Sequence, residues 1–388
     1  MINRDHPLID EALAGEPAVI PFFICAAFSA VAVMAVWLPG YTKRHPLLTY
    51  YGSSGWHAHE MLFGYMAAVV TPFLLSAVRA RLGRPAAGPL PLALLILIWL
   101  AGRALPLMSD VPPWLVAAVD LAFLPLLIVL LALPLWRAGH RRELYLIVPL
   151  ALMVFGNLLV HGEWLGLTAD SARLGVVLAF YMLALLMSVA AAALMPRCLA
   201  RPVSARPVLD WAAAGTIVLL AIADLFWPTG EGVAACALLA AAVHGCRLLT
   251  WLAAGPRPDP VSWGLLAGYA WLVTGFVLIA LSYQGRLPPM LAFHALMVGA
   301  FGGLAMGMMA QALRARHVAA RPVSTLAALA FALINVTALV RVGGPLLSLR
   351  YGQALIIAAG SLWIISFILF LLIYGPLLLP ARAVEPAR

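Results

Sequence analysis

Runs of roughly 20 apolar residues recur along this chain from Pro21 to Tyr374, each long enough to cross a ~30 Å hydrocarbon layer. Inside lipid a backbone must satisfy its own hydrogen bonds, so such runs become helices rather than loops. A transmembrane β-barrel would show short segments alternating polar and apolar side chains, and none is visible. Only 10% of the residues are charged and 64% are hydrophobic. A soluble domain needs about a quarter of its residues charged to cover its surface. The expected fold is all-α: a polytopic integral membrane protein of twelve transmembrane helices in one bundle.

Spans one to twelve are expected at 18–39, 56–78, 90–108, 112–136, 143–165, 172–195, 209–227, 232–253, 262–283, 289–312, 323–342 and 353–375. The loops are short and rich in Pro, Gly and Arg, and none holds an inserted domain. The chain therefore divides into an N-terminal segment 1–17, a transmembrane domain 18–375 and a tail 376–388. The first 17 residues carry Asp5, Asp10, Glu11 and Glu16 against Arg4. A secretory signal would begin with positive charge, so this segment is expected to be retained.

The formal charge of +9 is not a nucleic-acid footprint, because the arginines sit between the apolar runs. Loops after even-numbered spans hold Arg79, Arg81, Arg84, Arg137, Arg141, Arg142, Arg197, Arg201, Arg206, Arg257, Arg314, Arg316 and Arg321; Arg247 near the end of span eight brings the set to fourteen. Odd-numbered loops and adjoining helix ends hold Lys43, Arg44, Arg103, Arg173, Arg286, Arg341 and Arg350, which is seven. Positive charge stays in the cytoplasm, so both termini and the even loops are expected there. Four scattered cysteines (Cys25, Cys198, Cys236 and Cys246) form no CxxC or CxxCH, which argues against a disulfide framework, a thiolate cage and covalent c-type haem.

Ionisable side chains are costly in lipid, usually face the bundle interior and often mark function. His57 and His59 open span two, His161 lies near the end of span five and His294 near the start of span ten. The expected orientation puts all four at the outer side of the membrane. Four histidines at one depth, from three helices, suit a buried metal or haem site, since neutral imidazole binds iron, copper and zinc. Taken singly, each is better read as a helix-end histidine at the headgroup interface beside tryptophan; as a set, ligation is the favoured reading. On a helix His57 and His59 differ by ~200°. They can share a metal only if the helix begins between them; otherwise they serve different centres, or one supports the other. Met61 is four residues from His57, and a thioether beside imidazole suits copper, although membrane methionines also simply pack.

Other positions carry two readings. His244, Arg247 and Trp251 share a face of span eight; an inward Arg247 would hold a haem propionate or other anion, and an outward one would snorkel to the cytoplasmic surface. Asn157 is four residues before His161. Arg103 and Asp120 are buried-charge candidates that could pair with another helix. Gly299, Gly303 and Gly307 form a doubled GxxxG at ~140–220° from His294, a stripe expected to pack another helix. His317 falls in the loop after span ten.

The run Trp56-His57-Ala58-His59-Glu60-Met61-Leu62-Phe63-Gly64-Tyr65 resembles the signature of the NnrS family. Further landmarks follow in order: Ala101-Gly102-Arg103, Asp120-Leu121-Ala122-Phe123-Leu124-Pro125, Asn157-Leu158-Leu159 with His161, His244 with Arg247, Gly268-Tyr269-Ala270-Trp271, His294 through Gly299, and Tyr374-Gly375-Pro376-Leu377. The resemblance covers nearly the whole chain. It implies a bacterial inner-membrane protein containing non-covalent, b-type haem and copper, linked to denitrification and protection against nitric oxide. His57, His59, His161, His244 and His294 are then candidate ligands, with His57, His59 and His294 as metal residues and His161, His244, Arg247 and Arg103 as cofactor-binding residues. Membrane lipid, nitric oxide or an iron-nitrosyl species, and an external electron donor are the implied partners. The chain departs from the family pattern at Ala191-Ala192-Ala193-Leu194-Met195-Pro196, where members carry an arginine, and at Ala310-Gln311 and Arg316-His317-Val318-Ala319. If the family arginines hold propionates or ligand, cofactor binding here is altered.

Two other classes compete. Twelve spans suit a secondary transporter of a small ion or metal, although such sites usually lie at mid-depth and between repeated halves. A haem–copper oxidase or reductase subunit would carry a His-Pro-Glu-Val-Tyr turn and a His-His pair, and this chain has neither.

Overall fold

A computed structural model describes residues 8–42, 49–228, 230–316, 325–347 and 352–378 of the chain. His317, Lys43, Arg44, Arg321 and Arg350 lie outside the described residues, as do most of the tail and the first seven positions.

Twelve helices are long and apolar enough to cross a membrane. They are Val19–Tyr41, Gly52–Leu82, Pro89–Leu107, Pro113–Arg137, Arg141–Trp164, Ala172–Cys198, Pro207–Phe226, Gly230–Ala254, Pro260–Tyr283, Pro289–Arg316, Thr325–Leu347 and Gly352–Leu378, numbered spans one to twelve. The protein is an all-α polytopic membrane protein, with no strand among the described residues. Spans three, four, seven, nine and ten each begin on a proline. Its missing N–H is harmless there and its fixed φ suits a first helical turn. Span nine is also capped by Asp259, whose Oδ1 accepts from the backbone N–H groups of Val261 and Ser262 at 3.1 Å each.

Spans two and ten form the centre of the bundle. They are buried over 89% and 78% of their apolar stretches, against 28% for spans three and seven. Span two starts four residues earlier than its composition suggests, because Gly-Ser-Ser-Gly at 52–55 is helical. Gly55 lies under the Trp164 ring, where a Cβ would stand 3.2 Å from Cζ2, so tertiary packing overrides the loop-like composition.

Both central spans depart from α-geometry, and at matching places. Span two turns π-helical over Glu60–Met66, directly after His59. Span ten does so over Ala295–Gly302, directly after His294. Single π turns inside α-helices concentrate at functional sites.

The glycine stripe of span ten packs against span nine, and His294 lies outside it. A Cβ at Gly299 would collide with Trp271, one at Gly303 would stand 3.2 Å from Gly268 Cα, and one at Gly307 would meet Leu265 at 2.7 Å. Ahead of span one, a short helix over Leu8–Gly15 buries Ala12 and Leu13 against spans two and ten. Arg316 Nη1 donates to Ala14 O at 2.7 Å, placing a cation at the helix C-terminus, where the backbone dipole favours one.

Candidate functional site

Because consecutive spans run antiparallel, odd spans finish and even spans begin at one end of the bundle. That end holds a buried polar cluster drawn from spans two, three, four and five. His59, Asp120 and His161 each offer one ligand atom, and these atoms lie within 4.8 Å of one another. All three side chains are almost fully buried.

The outer nitrogens of both rings are held by neighbours. His59 Nδ1 lies 3.3 Å from Glu60 Oε1, and His161 Nδ1 lies 3.3 Å from the Tyr50 hydroxyl. Both Nε2 atoms then face inward, to Asp120 Oδ2 at 3.2 Å from His59 and 3.1 Å from His161. The Tyr51 hydroxyl lies between them, 3.2 Å from His59 Nε2 and 3.3 Å from His161 Nε2. Asn157 completes the set: its Nδ2 donates to Asp120 Oδ2 at 2.7 Å, and its Oδ1 is 3.0 Å from His59 Nε2. A ring whose far nitrogen is tied to a carboxylate, with the near one presented inward, is the usual posture of a metal-binding histidine.

Arg103 from span three organises the carboxylates. It donates through Nη2 to Asp120 Oδ1, and its Nε lies 3.3 Å from Glu60 Oε2. Two glycines of the family-like motifs make room for this. A Cβ at Gly64 would stand 2.8 Å from Arg103 Nη1, and one at Gly102 would stand 3.0 Å from Asp120 Oδ1. Across the π turn, Trp99 Nε1 donates to Gly64 O at 3.1 Å. Tyr50 and Tyr51 sit in the turn before span two. Burial first, and the Asp120 charge second, push the Tyr50 hydroxyl up to about 12 and hold that of Tyr51 well above its ordinary value. Both phenols are neutral donors near neutral pH.

Charge makes a further demand. Glu60 and Asp120 bring two negative charges and Arg103 one positive, leaving a buried excess of one negative charge. Two acceptor oxygens also converge on His59 Nε2. Two species satisfy such a set: a doubly protonated His59, or a metal cation among the Nε2 atoms and Asp120 Oδ2. A compact 2-His-1-carboxylate set suits an ion such as copper or non-haem iron, and Asp120 Oδ2 and the Tyr51 hydroxyl occupy the space between the two Nε2 atoms.

A family model described as NnrS protein matches residues 20–382. The chain belongs to the NnrS family. No curated protein matches it. The NnrS-family motif Trp56–Tyr65 thus supplies His59, Glu60 and Gly64 to the cluster, while the later landmarks supply Gly102, Arg103, Asp120, Asn157 and His161.

The other sequence-nominated residues lie elsewhere. His57 is not in this cluster: span two is helical from Gly52 through both histidines, so the helix does not begin between them. His57 stacks on Trp37 of span one, ring centroids 4.4 Å apart. His294 donates from Nδ1 to Met290 O at 2.7 Å. His244 and Arg247 form a separate network in span eight. Arg247 Nε donates to the Tyr269 hydroxyl at 2.6 Å, which lies 2.6 Å from His244 Nδ1, and His244 Nε2 donates to Ala213 O at 3.0 Å. Arg247 Nη2 donates to Ser188 Oγ at 2.5 Å, and Nη1 lies 3.5 Å from Asp210 Oδ1. Arg247 therefore points inward, and both His244 nitrogens are engaged within the protein.

Sequence reasoning missed Glu60, Tyr50, Tyr51, Gly64 and Gly102 as site residues; it set Asn157 four residues before His161, and it noted Asp120 without placing it beside the histidines. Glu60 had a signal, since it adjoins His59 within the motif. The tyrosines had none beyond their position at the same end.

Proposed function

We propose that this protein is a haem- and copper-containing protein of the bacterial inner membrane, linked to denitrification and nitrosative stress, that binds or processes nitric oxide or iron-nitrosyl species. His59, Asp120 and His161 form the seat of its copper ion. The observation that carries the reading is the convergence of these three ligand atoms within 4.8 Å at a buried site. Family membership supports the cofactor pair and the link to nitric oxide.

The residues present fit the ion: two imidazole nitrogens and a carboxylate are an acceptable copper set, and Glu60 and Tyr50 fix the ring orientations. When bound, copper supplies a redox-active Lewis acid. Tyr51 offers a neutral hydroxyl donor to a small polar molecule beside that ion, and Arg103 pairs with Asp120 through Nη2. Phe63 packs on the His59 ring and Trp99 lies under the Arg103 guanidinium, and both are buried, which limits water. The arginine distribution supports a periplasmic position for this end and cytoplasmic termini. Electrons, where turnover needs them, come from an external donor.

The test is purification in detergent from haem- and copper-replete cells, with oxidised and reduced spectra, pyridine haemochrome and copper analysis. A Soret band that shifts on adding nitric oxide, with about one copper per chain, is expected. A colourless, metal-free protein overturns the reading. In that case the Glu60–Arg103–Asp120–His59 set becomes a proton-binding site, and a transporter of a small ion takes its place.

A further inference from the structure

The two histidines of the Trp-His-Ala-His motif look in different directions, and only His59 enters the buried carboxylate cluster. His57 faces a second polar corner at the same end of the bundle, built from spans one, two, ten and eleven. Its Nδ1 is shielded from solvent with no hydrogen-bond partner, and so is the indole Nε1 of Trp37, on which it stacks. His294 donates from Nδ1 to Met290 O, which leaves its Nε2 lone pair free to act as a ligand. Arg341, near the end of span eleven, is close enough for its charge to act on both rings, and His57 acts in turn on His294. No carboxylate pairs with Arg341 among the described residues; the Tyr41 hydroxyl lies within reach of its charge.

The chemistry of this corner is the reverse of the first. The carboxylate cluster has surplus negative charge and asks for a compact cation. The corner has two imidazoles, an unpaired indole N–H and a guanidinium with no carboxylate partner among the described residues. It asks for a group that presents a metal to imidazole and negative charge to arginine. Among the cofactors of the proposed function, haem does this: its iron takes axial imidazole and its propionates take arginine and N–H donors. The matching π turns after His59 and His294 mark both central spans at this depth.

We propose that haem is held at this second corner, with His57 and His294 as the imidazoles available to its iron and Arg341 receiving a propionate. His57 and His59, two residues apart on one helix, then serve separate centres, one haem and one copper. The assignment rests on the haem and copper reading above but is independent of what the centres do.

The experiment measures haem and copper per chain in six purified variants. His57→Gln and His294→Gln are expected to lose haem by about tenfold or more while keeping copper. His59→Gln and His161→Gln are expected to lose copper by a similar factor while keeping haem. Arg341→Gln is expected to lower haem occupancy several-fold and leave copper unchanged. His294→Gly with added imidazole guards against misfolding: recovery of the Soret band shows that the ring itself was missing. Full haem with an unchanged spectrum in both His57→Gln and His294→Gln overturns the assignment, as does copper loss that follows the same two residues. Wild-type protein holding neither cofactor overturns the haem and copper reading and this assignment with it; wild-type protein holding both, with another partition, overturns the assignment alone.

Discussion

Gly64 of span two lies directly beneath the guanidinium of Arg103 from span three: a Cβ built on Gly64 would stand 2.8 Å from Nη1 and 2.9 Å from Glu60 Oε2. The glycine is therefore the floor of the ion cluster. Gly64→Ala should push Arg103 off the carboxylates, cost ~1–3 kcal/mol as an overpacked site, and lower copper occupancy. Gly88→Ala, in open space with φ −75°, serves as the neutral control. Thermal unfolding in detergent with copper analysis reads both quantities. Equal behaviour of the two variants would remove Gly64 from the site.

Arg103 joins Glu60 to Asp120, and removing it leaves two buried carboxylates facing each other across the gap. Breaking a buried pair by removing one partner costs ~3–5 kcal/mol. Arg103→Gln should approach that loss in copper-free protein. Glu60→Gln with Arg103→Gln should recover part of it, because one surplus charge is gone. Denaturant or thermal midpoints of the single and double variants form the cycle. Strict additivity would show that the three charges do not act as a unit.

The twelve spans and the end at which His57, His59, His161 and His294 lie were legible in the sequence, because span length and antiparallel alternation decide both. Lateral neighbours were not. Nothing in Asp120 shows that span four packs beside spans two, three and five, and this contact turns a stray buried charge into part of a metal set. The π turns also left no mark in residue type, yet they reset the register directly after His59 and His294. The ~200° separation of His57 from His59 was legible, and the two do enter different surroundings. Gly299, Gly303 and Gly307 were legible for a simpler reason: small residues four apart permit close approach whichever helix comes near.

In span eight, the chain Arg247 Nε to Tyr269 hydroxyl to His244 Nδ1 is closed, with His244 Nε2 donating to Ala213 O. Each group is satisfied by protein. Tyr269→Phe removes the central hydroxyl and strands two buried polar atoms, at ~1–3 kcal/mol each. The expected result is a lower unfolding midpoint with unchanged haem and copper content. Loss of the Soret band in Tyr269→Phe would instead make His244 a haem ligand.

Glu16 sits where the leading helix meets the bundle, with Oε1 3.4 Å from Ala18 N and Oε2 buried without a partner. Burial raises its pKa above the ordinary glutamate value, outweighing the backbone contact and the guanidinium charges of Arg79 and Arg316, which lower it. The folded value therefore exceeds the unfolded one. Its contribution is complete below the ordinary glutamate value and is lost as pH rises through the raised value. Docking of the Leu8–Gly15 helix should loosen over that window, seen as falling protection of its amides once intrinsic exchange is corrected. Glu16→Gln holds a neutral side chain at every pH. It should flatten the profile and leave the helix better protected at neutral pH than in the wild type. Weaker protection in Glu16→Gln at neutral pH would mean that attraction to Arg79 and Arg316 outweighs burial, reversing the sign.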